Sequence, residues 1–241
     1  MLEVNNISKM VDIFPVINNV SFTVDDGEMI SICGDLYGGD LVLQAIPGLL
    51  RIKRGSVSLN DEVIAGYGMT KRSEDFVEEF SYISKTGTLL WEKSFDYNLK
   101  LREKWFKKYN SQAAVDVLEA LDPDFNRRKK ANKMTDRELV IAAFALGMGM
   151  DSKYYLVDAI WWDIPEGDIR EKCLKMLDEK KKQGRSVLVV MDDSFLLGPG
   201  RDYFKRILYM KQGALIVDST PQVDANKPLE FLLDEWKRVA K

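Results

Sequence analysis

The chain has 241 residues, 46% of them hydrophobic and 30% charged, with 35 basic against 38 acidic side chains and a net charge of -3. That length buries a substantial core without cross-links, and the even charge balance argues against a nucleic-acid partner, which needs a basic excess. Histidine is absent, which excludes histidine bases, histidine metal ligands and Ser-His-Asp triads.

In chain order, residues 1–34 alternate apolar and polar in short runs. The start, Met1-Leu-Glu-Val-Asn-Asn-Ile-Ser, lacks the basic start and apolar run of a signal peptide. Leu2-Glu-Val-Asn and Val16-Ile-Asn-Asn-Val-Ser-Phe-Thr-Val read as strands of period 2. Asp25-Asp-Gly27 reads as a hairpin-type turn. Glu28-Met-Ile-Ser-Ile-Cys33 is a continuous apolar run ending in glycine, the pattern of a strand buried on both faces. A loop is expected at 34–40, then a helix from Leu41 that stops near Pro47-Gly48.

Gly55-Ser-Val-Ser-Leu-Asn-Asp-Glu-Val-Ile is a second hairpin signal, and Phe80-Ser-Tyr-Ile-Ser a further strand. Residues 95–150 read as mostly helical. Tyr154-Tyr-Leu-Val-Asp158 is a second buried strand, Asp168 to Gln183 a charged amphipathic helix, and Gly184-Arg-Ser-Val-Leu-Val-Val-Met-Asp192 a third buried strand. Residues 206–217 read as two strands around a turn at Gly213, and 226–241 as a last helix. The order predicts an α/β fold: a parallel core, a separate antiparallel sheet and an inserted helical region near 86–150, all in one domain over 1–241. The longest apolar stretches, Leu41 to Leu50 and Leu139 to Met150, fall short of the roughly 18 residues of a membrane span. Cys33 and Cys173 form no metal-type pair and suit a reduced, cytosolic chain.

A strand, a glycine loop and a helix form the context in which a phosphate-binding loop is judged. Here the loop reads Gly34-Asp-Leu-Tyr-Gly-Gly-Asp-Leu41. With it, residues 16–34, 154–158, 184–193 and Arg206-Ile-Leu-Tyr-Met-Lys-Gln-Gly-Ala-Leu-Ile-Val-Asp-Ser-Thr-Pro221 resemble, in order and spacing, the P-loop NTPase (RecA-like) cassettes of ABC transporters, the ATP-binding subunits. The alternative is a generic α/β protein with an accidental glycine loop. The resemblance implies a nucleotide-binding P-loop at Gly34, Asp35, Leu36, Tyr37, Gly38, Gly39, Asp40 and Leu41, with the lysine position at Asp40 and the magnesium-touching hydroxyl position at Leu41.

At those positions the chemistry has changed. A lysine there attracts the β- and γ-phosphates, whereas Asp40 repels them. One charge pair at close range is worth roughly 4 kcal/mol at an effective dielectric near 20. No Gly-Lys pair exists elsewhere to supply a shifted loop, and residues 34–41 also read as a plain strand-to-helix turn. Asp158 sits where the family's Walker B aspartate supports magnesium. Ala159 follows at the position of the catalytic glutamate, and an alanine polarises no water. The switch-histidine position falls on Asp192, followed by Asp193. The Q-loop position is Lys85. The adenine-stacking aromatic position lies near Val11, with Phe14 as a substitute. The signature position is Met134-Thr-Asp-Arg-Glu138, where Thr135 keeps a hydroxyl and Asp136 and Arg137 replace two glycines. Thr135 with Glu138 reads equally as a capping box. Trp161 and Trp162, in a stretch unlike the family's D-loop, read as packing or interface residues.

The resemblance also implies partners: a membrane permease, gripped in a groove beside the Q-loop, and a second ATPase subunit, identical or not. Residues 86–103 (Thr-Gly-Thr-Leu-Leu-Trp-Glu-Lys-Ser-Phe-Asp-Tyr-Asn-Leu-Lys-Leu-Arg-Glu) resemble that docking segment, and among subfamilies look most like the Mla-type lipid-transport ATPases. Three readings follow: a non-catalytic cassette docking on a permease at the inner face of the membrane, with weak ATP and magnesium binding at most; a divergent, slowly hydrolysing ATPase; or an interaction module outside transport.

Overall fold

The computed structural model describes residues 1–70, 74–85, 87–159, 167–193, 196, 202–219, 234 and 238. The expected helix over 226–241, Thr86, Trp161 and Trp162, and Pro221 thus lie outside the described residues, apart from the isolated positions 234 and 238.

Two sheets and a set of helices make three layers. β1 (Leu2–Val11) and β2 (Phe14–Val24) pair antiparallel, and β4 (Arg54–Leu59), β5 (Glu62–Gly66) and β6 (Met69–Thr70) extend them into a sheet of order β2-β1-β4-β5-β6. The β4–β5 hairpin turns at Asn60-Asp61, both at positive φ (48° and 66°), the backbone that Asn and Asp tolerate best after glycine. The second sheet runs β11-β10-β3-β9-β8-β7. It is built from β3 (Met29–Gly34), β7 (Phe80–Ile83), β8 (Tyr154–Val157), β9 (Ser186–Val190), β10 (Arg206–Lys211) and β11 (Ala214–Ser219). β10, β3, β9, β8 and β7 are parallel and β11 closes one edge antiparallel. One expectation fails here. The turn at Asp25-Gly27 closes no hairpin, because β2 pairs with β1 while β3 pairs with β10 and β9. The turn carries the chain from one sheet to the other.

The apolar runs are buried on both faces, as parallel strands covered by helices must be. Along β8, Tyr154 and Leu156 point into one core and Tyr155 and Val157 into another; along β9, Leu188 and Val190 take the first and Val187 and Val189 the second. The first core lies between the sheets around α1 (Leu36–Ala45). The second lies beneath the parallel sheet, against α3 (Phe95–Trp105), α4 (Ser111–Leu121), α5 (Asp136–Met148) and α6 (Gly167–Lys182), a short α2 (Glu74–Val77) preceding β7. Leu139 to Met148 of α5 are all buried, so this helix is apolar all round and forms the hub of the helical region. Its Gly147 presses on Ile83 of β7 so closely that a Cβ would fall 2.3 Å from Ile83 Cγ1. Among the described residues no helix is long and apolar enough to cross a membrane.

Because the central strands are parallel, their carboxyl ends gather at one edge. Gly34, Ile83, Val157 and Val190 terminate there, and a crevice outside such strand ends is where α/β sheets place ligands.

Candidate functional site

At that edge β3 passes into α1 with almost no loop. Gly34 has φ +86°, and a Cβ on it would lie 2.2 Å from the Met210 carbonyl oxygen, so only glycine ends the strand here. The helix starts at Leu36 rather than near Leu41, a correction to the expected loop at 34–40. The cause is Asp35. Its backbone is extended, and its Oδ1 accepts from the Gly38 N–H at 3.1 Å, the bond of an N-cap. Its Oδ2 accepts from the Gly213 N–H at 2.8 Å, and its own N–H donates to the Met210 carbonyl at 2.8 Å. The Gly39 N–H donates back to the Asp35 carbonyl at 2.9 Å. Residues 36–39 are therefore the first turn of a helix whose N-terminal partial charge already meets a carboxylate.

Asp40, at the lysine position, points inward. Its Oδ1 accepts from the Ala159 N–H at 2.9 Å. Burial pushes its carboxyl up to about 6, against the smaller opposing pull of that N–H. Leu41, expected at the magnesium-hydroxyl position, is 8% exposed and packs among apolar side chains in the core between the sheets. Gly38 and Gly39 are buried, while Tyr37 is 62% exposed; Leu36 packs partly on the same core as Leu41.

Across the crevice, Asp158 follows β8, its N–H bonded to the Ile83 carbonyl at 3.1 Å. Its Oδ2 accepts from the Tyr82 hydroxyl at 3.2 Å. Tyr82 also meets the Gln44 side chain, and burial first, then the charges of Asp158 and Asp40, push its phenol well above its ordinary value. Ala159 gives its N–H to Asp40 and packs its methyl against the core between the sheets. Asp192 lies 4.0 Å from the Arg170 guanidinium. Lys85 and Asp136, expected at the Q-loop and signature positions, form an ion pair at 2.8 Å, half exposed and worth at most about 1 kcal/mol. Arg137 pairs with Asp122 at 2.7 Å. Thr135 is the N-cap of α5 in a full capping box with Glu138, and Lys129 holds that glutamate at 2.6 Å. Val11 and Phe14 face each other at the tip of the β1–β2 hairpin, 45% and 68% exposed.

These residues do not fit a phosphate group. In a phosphate loop several N–H groups converge on an empty nest; here the loop is wound into α1, Asp35 fills the capping position, and Asp40 adds a second carboxylate behind it. No three Asp, Glu or Cys side chains among the described residues are placed to hold a metal ion.

A second feature lies beside the strand edge. A groove of about 380 Å³ opens between the end of α1, β7 and α3, lined by Leu49, Val77, Phe80, Tyr82, Arg102 and Phe106, among others. A smaller lobe of about 170 Å³, lined by Leu90, Leu101 and Trp105, shares Gly87, Arg102 and Phe106 with it. Its rims are apolar and exposed: Leu49 and Trp105 at 63%, Leu90 at 46%, Val77 at 43%. Ser94 caps α3, and Asn98 on α3 accepts from the Leu90 N–H at 2.8 Å, which pins the preceding loop. Tyr82 joins the two features, its ring on the groove and its hydroxyl on Asp158. Sequence reasoning named the segment 86–103, with Arg102 in it, and the strand that holds Tyr82, but gave neither residue a role of its own; for Asp35 a signal existed, an N-cap residue three places before Gly38.

No family model matches the chain. The methionine import ATP-binding protein MetN of Chlamydia felis is 25% identical over 194 residues, 75% of this chain and 56% of that protein. The sulfate/thiosulfate import ATP-binding protein CysA of Pseudomonas syringae pv. tomato is 24% identical over 161 residues, 65% of this chain and 49% of that protein. The chain thus spans about half the length of these relatives. The arginine transport ATP-binding protein ArtM of Bacillus subtilis is 22% identical over 230 residues, 92% of each chain. Among solved structures, an ATP-binding subunit of an ABC transporter superposes with TM-score 0.76 at 21% identity, over 98% of this chain and 99% of that one. A dimeric bacterial ABC transporter cassette gives 0.76 at 17%, over 91% and 98%.

Proposed function

Because this chain has the fold of an ABC transporter ATPase cassette and resembles ATP-binding subunits of ABC transporters, we propose that it is a cassette subunit that does not hydrolyse ATP. It docks on a membrane permease at the inner face of the membrane and acts in assembly or regulation, alongside a second cassette, identical or catalytically competent. The observation that carries this is the Asp35 carboxylate, bonded to the N–H groups of Gly38 and Gly213 at the helix start where a cassette would hold phosphate. Asp40, Leu41, Ala159 and Asp192 support it: repulsion for the lysine, an apolar side chain for the magnesium ligand, an alanine for the glutamate that would activate water, and an aspartate for the switch histidine. The groove supports the docking half, since its apolar rims are exposed beside a disabled nucleotide edge.

For cargo, lipid is the reading that residues 86–103 favour through their likeness to Mla-type ATPases. The relatives are named for methionine, sulfate/thiosulfate and arginine, and identities this low carry no cargo across.

The test is calorimetric titration of the protein with ATP and magnesium, with ADP alongside, and a phosphate-release assay. No heat up to millimolar nucleotide and no turnover is the expected result. Micromolar binding with turnover abolished by Asp158→Ala would replace this reading with that of a slow, divergent ATPase.

A further inference from the structure

The helical region is the basic part of an acidic chain. Residues 91–133 carry eleven basic and seven acidic side chains, a net charge of +4, against -7 over the rest. The fold draws two stretches of them together. The Ala131 N–H donates to the Lys93 carbonyl at 2.9 Å, the Asn132 N–H to the Trp91 carbonyl at 2.8 Å and the Asp96 N–H to the Arg127 carbonyl at 3.2 Å. Residues 91–96 and 127–132 therefore run antiparallel, with a bridge between Ser94 and Lys130.

Two of the cations here are matched: Arg127 meets Asp96 at 2.8 Å and Lys129 meets Glu138 at 2.6 Å. The others are not. Lys93, Arg128, Lys130 and Lys133 are exposed and form no ion pair among the described residues. Lys100 and Lys104, one and two turns beyond Tyr97 on α3, are exposed and unpaired in the same way. The nearby exposed acids are Glu92, which accepts from Asn132 at 2.9 Å, and Glu103. An ordinary solvated lysine face looks different: on α6, Lys175, Lys181 and Lys182 each meet an Asp or Glu one turn away. Two exposed rings stand among the cations, Trp91 at 55% and Tyr97 at 46%, and Lys93 Nζ lies 4.6 Å from the centre of the Tyr97 ring. Unpaired cations crowded on one face repel one another, and a layer of anions relieves that. Lysines carry point charges on long stems that reach a phosphate layer without a fixed geometry, and Trp and Tyr rings settle at headgroup level. The forked donors that base readout favours are nearly absent, with one arginine, Arg128, among the six.

We propose that this face, Trp91, Lys93 and Tyr97 with Arg128, Lys130 and Lys133, binds the anionic headgroups of a membrane surface directly. The contact is with the leaflet and not with a transported lipid. It stands apart from the docking reading above, since it needs no permease. The cations supply attraction that salt screens, and the two rings supply area that salt does not.

The test floats the full chain with protein-free vesicles, either pure phosphatidylcholine or phosphatidylcholine with about a third phosphatidylserine. Binding to the anionic vesicles alone is expected, and its loss at about 0.5 M salt, where screening shortens to a few ångström. Lys93→Gln with Lys130→Gln and Lys133→Gln should weaken binding about 100-fold, at about fivefold for each lysine near such a surface. Lys53→Gln with Lys172→Gln and Lys205→Gln removes the same charge from exposed positions elsewhere and should leave binding nearly unchanged. Trp91→Ala should weaken binding without changing its salt dependence, because it removes area and not charge. Equal weakening by the two triple variants would reduce the effect to net charge and overturn the face. Binding to neutral vesicles as tight as to anionic ones would overturn it too. Binding to no vesicle overturns the proposal outright, and retention of an RNA oligonucleotide or of polyglutamate, lost in the first triple variant, would then give the face to that partner.

Discussion

Asp40 Oδ1 accepts a 2.9 Å hydrogen bond from the backbone N–H of Ala159. On the proposed reading these are the positions where an active cassette carries its phosphate-binding lysine and its catalytic glutamate. Here the two are bonded to each other across the crevice, so α1 is tied to the end of β8 without any ligand between them.

That bond has a pH signature. Asp40 titrates in the folded protein near 6, above its ordinary 3.8, because it is buried. The folded state therefore holds this proton more tightly than the unfolded chain does. The stability it contributes is fully present below about pH 4 and is lost as pH rises through about 6. Asp40→Asn keeps an oxygen for the Ala159 N–H and cannot ionise. We expect it to be more stable than the parent at pH 7.5, by about 1 kcal/mol after allowing for partial exposure, and to lose that advantage by pH 4. Thermal melts of both proteins at pH 4, 5, 6 and 7.5 check this; parallel pH profiles would refute it.

Asp35 caps α1 and reaches Gly213. Asp35→Ala removes both bonds and leaves the helix start uncapped. A loss of about 1–2 kcal/mol is expected, read from urea unfolding midpoints at constant m. A variant as stable as the parent would mean the cap is not formed in solution.

On the proposed reading, Asp40→Lys with Leu41→Ser supplies the phosphate-binding charge and the magnesium hydroxyl. We expect nucleotide binding to improve and turnover to stay at background, since Ala159 and Asp192 remain. Adding Asp35→Gly should improve binding further by freeing the helix start. Calorimetry and phosphate release measure the two effects separately, and ATP turnover by the double variant would sink the assignment of Ala159.

Gly147→Ala tests whether α5 is wedged beneath the sheet. The new Cβ would meet Ile83 Cγ1 at 2.3 Å and Cδ1 at 2.6 Å, and Ile83 is fully buried. Overpacking of this kind costs about 1–3 kcal/mol. A drop of several degrees in Tm is expected; an unchanged Tm would place α5 further from β7.

The sequence by itself determined the order of the strands and their double burial, because Tyr154–Val157 and Ser186–Val190 are apolar without alternation and bounded by turns. It also determined that histidine chemistry is absent, and it carries the expectation, from the identities of Asp40, Leu41 and Ala159, that the ATPase residues are replaced. Thr135 with Glu138 was legible as a cap for the same local reason. The first turn of α1 reads as loop in the sequence because Gly38 and Gly39 are poor helix formers, although the local cap from Asp35 to Gly38 overrides them; the second bond of Asp35, to Gly213, lies 178 residues away and has no local signal. The direction of Asp40 toward Ala159, the bond from Tyr82 to Asp158 and the place of Arg102 in the groove were decided by tertiary structure alone. Periodicity reports which face of an element is buried; it carries no information on which distant backbone group a buried polar side chain will meet, and that pairing is set by how the sheets and helices close on one another.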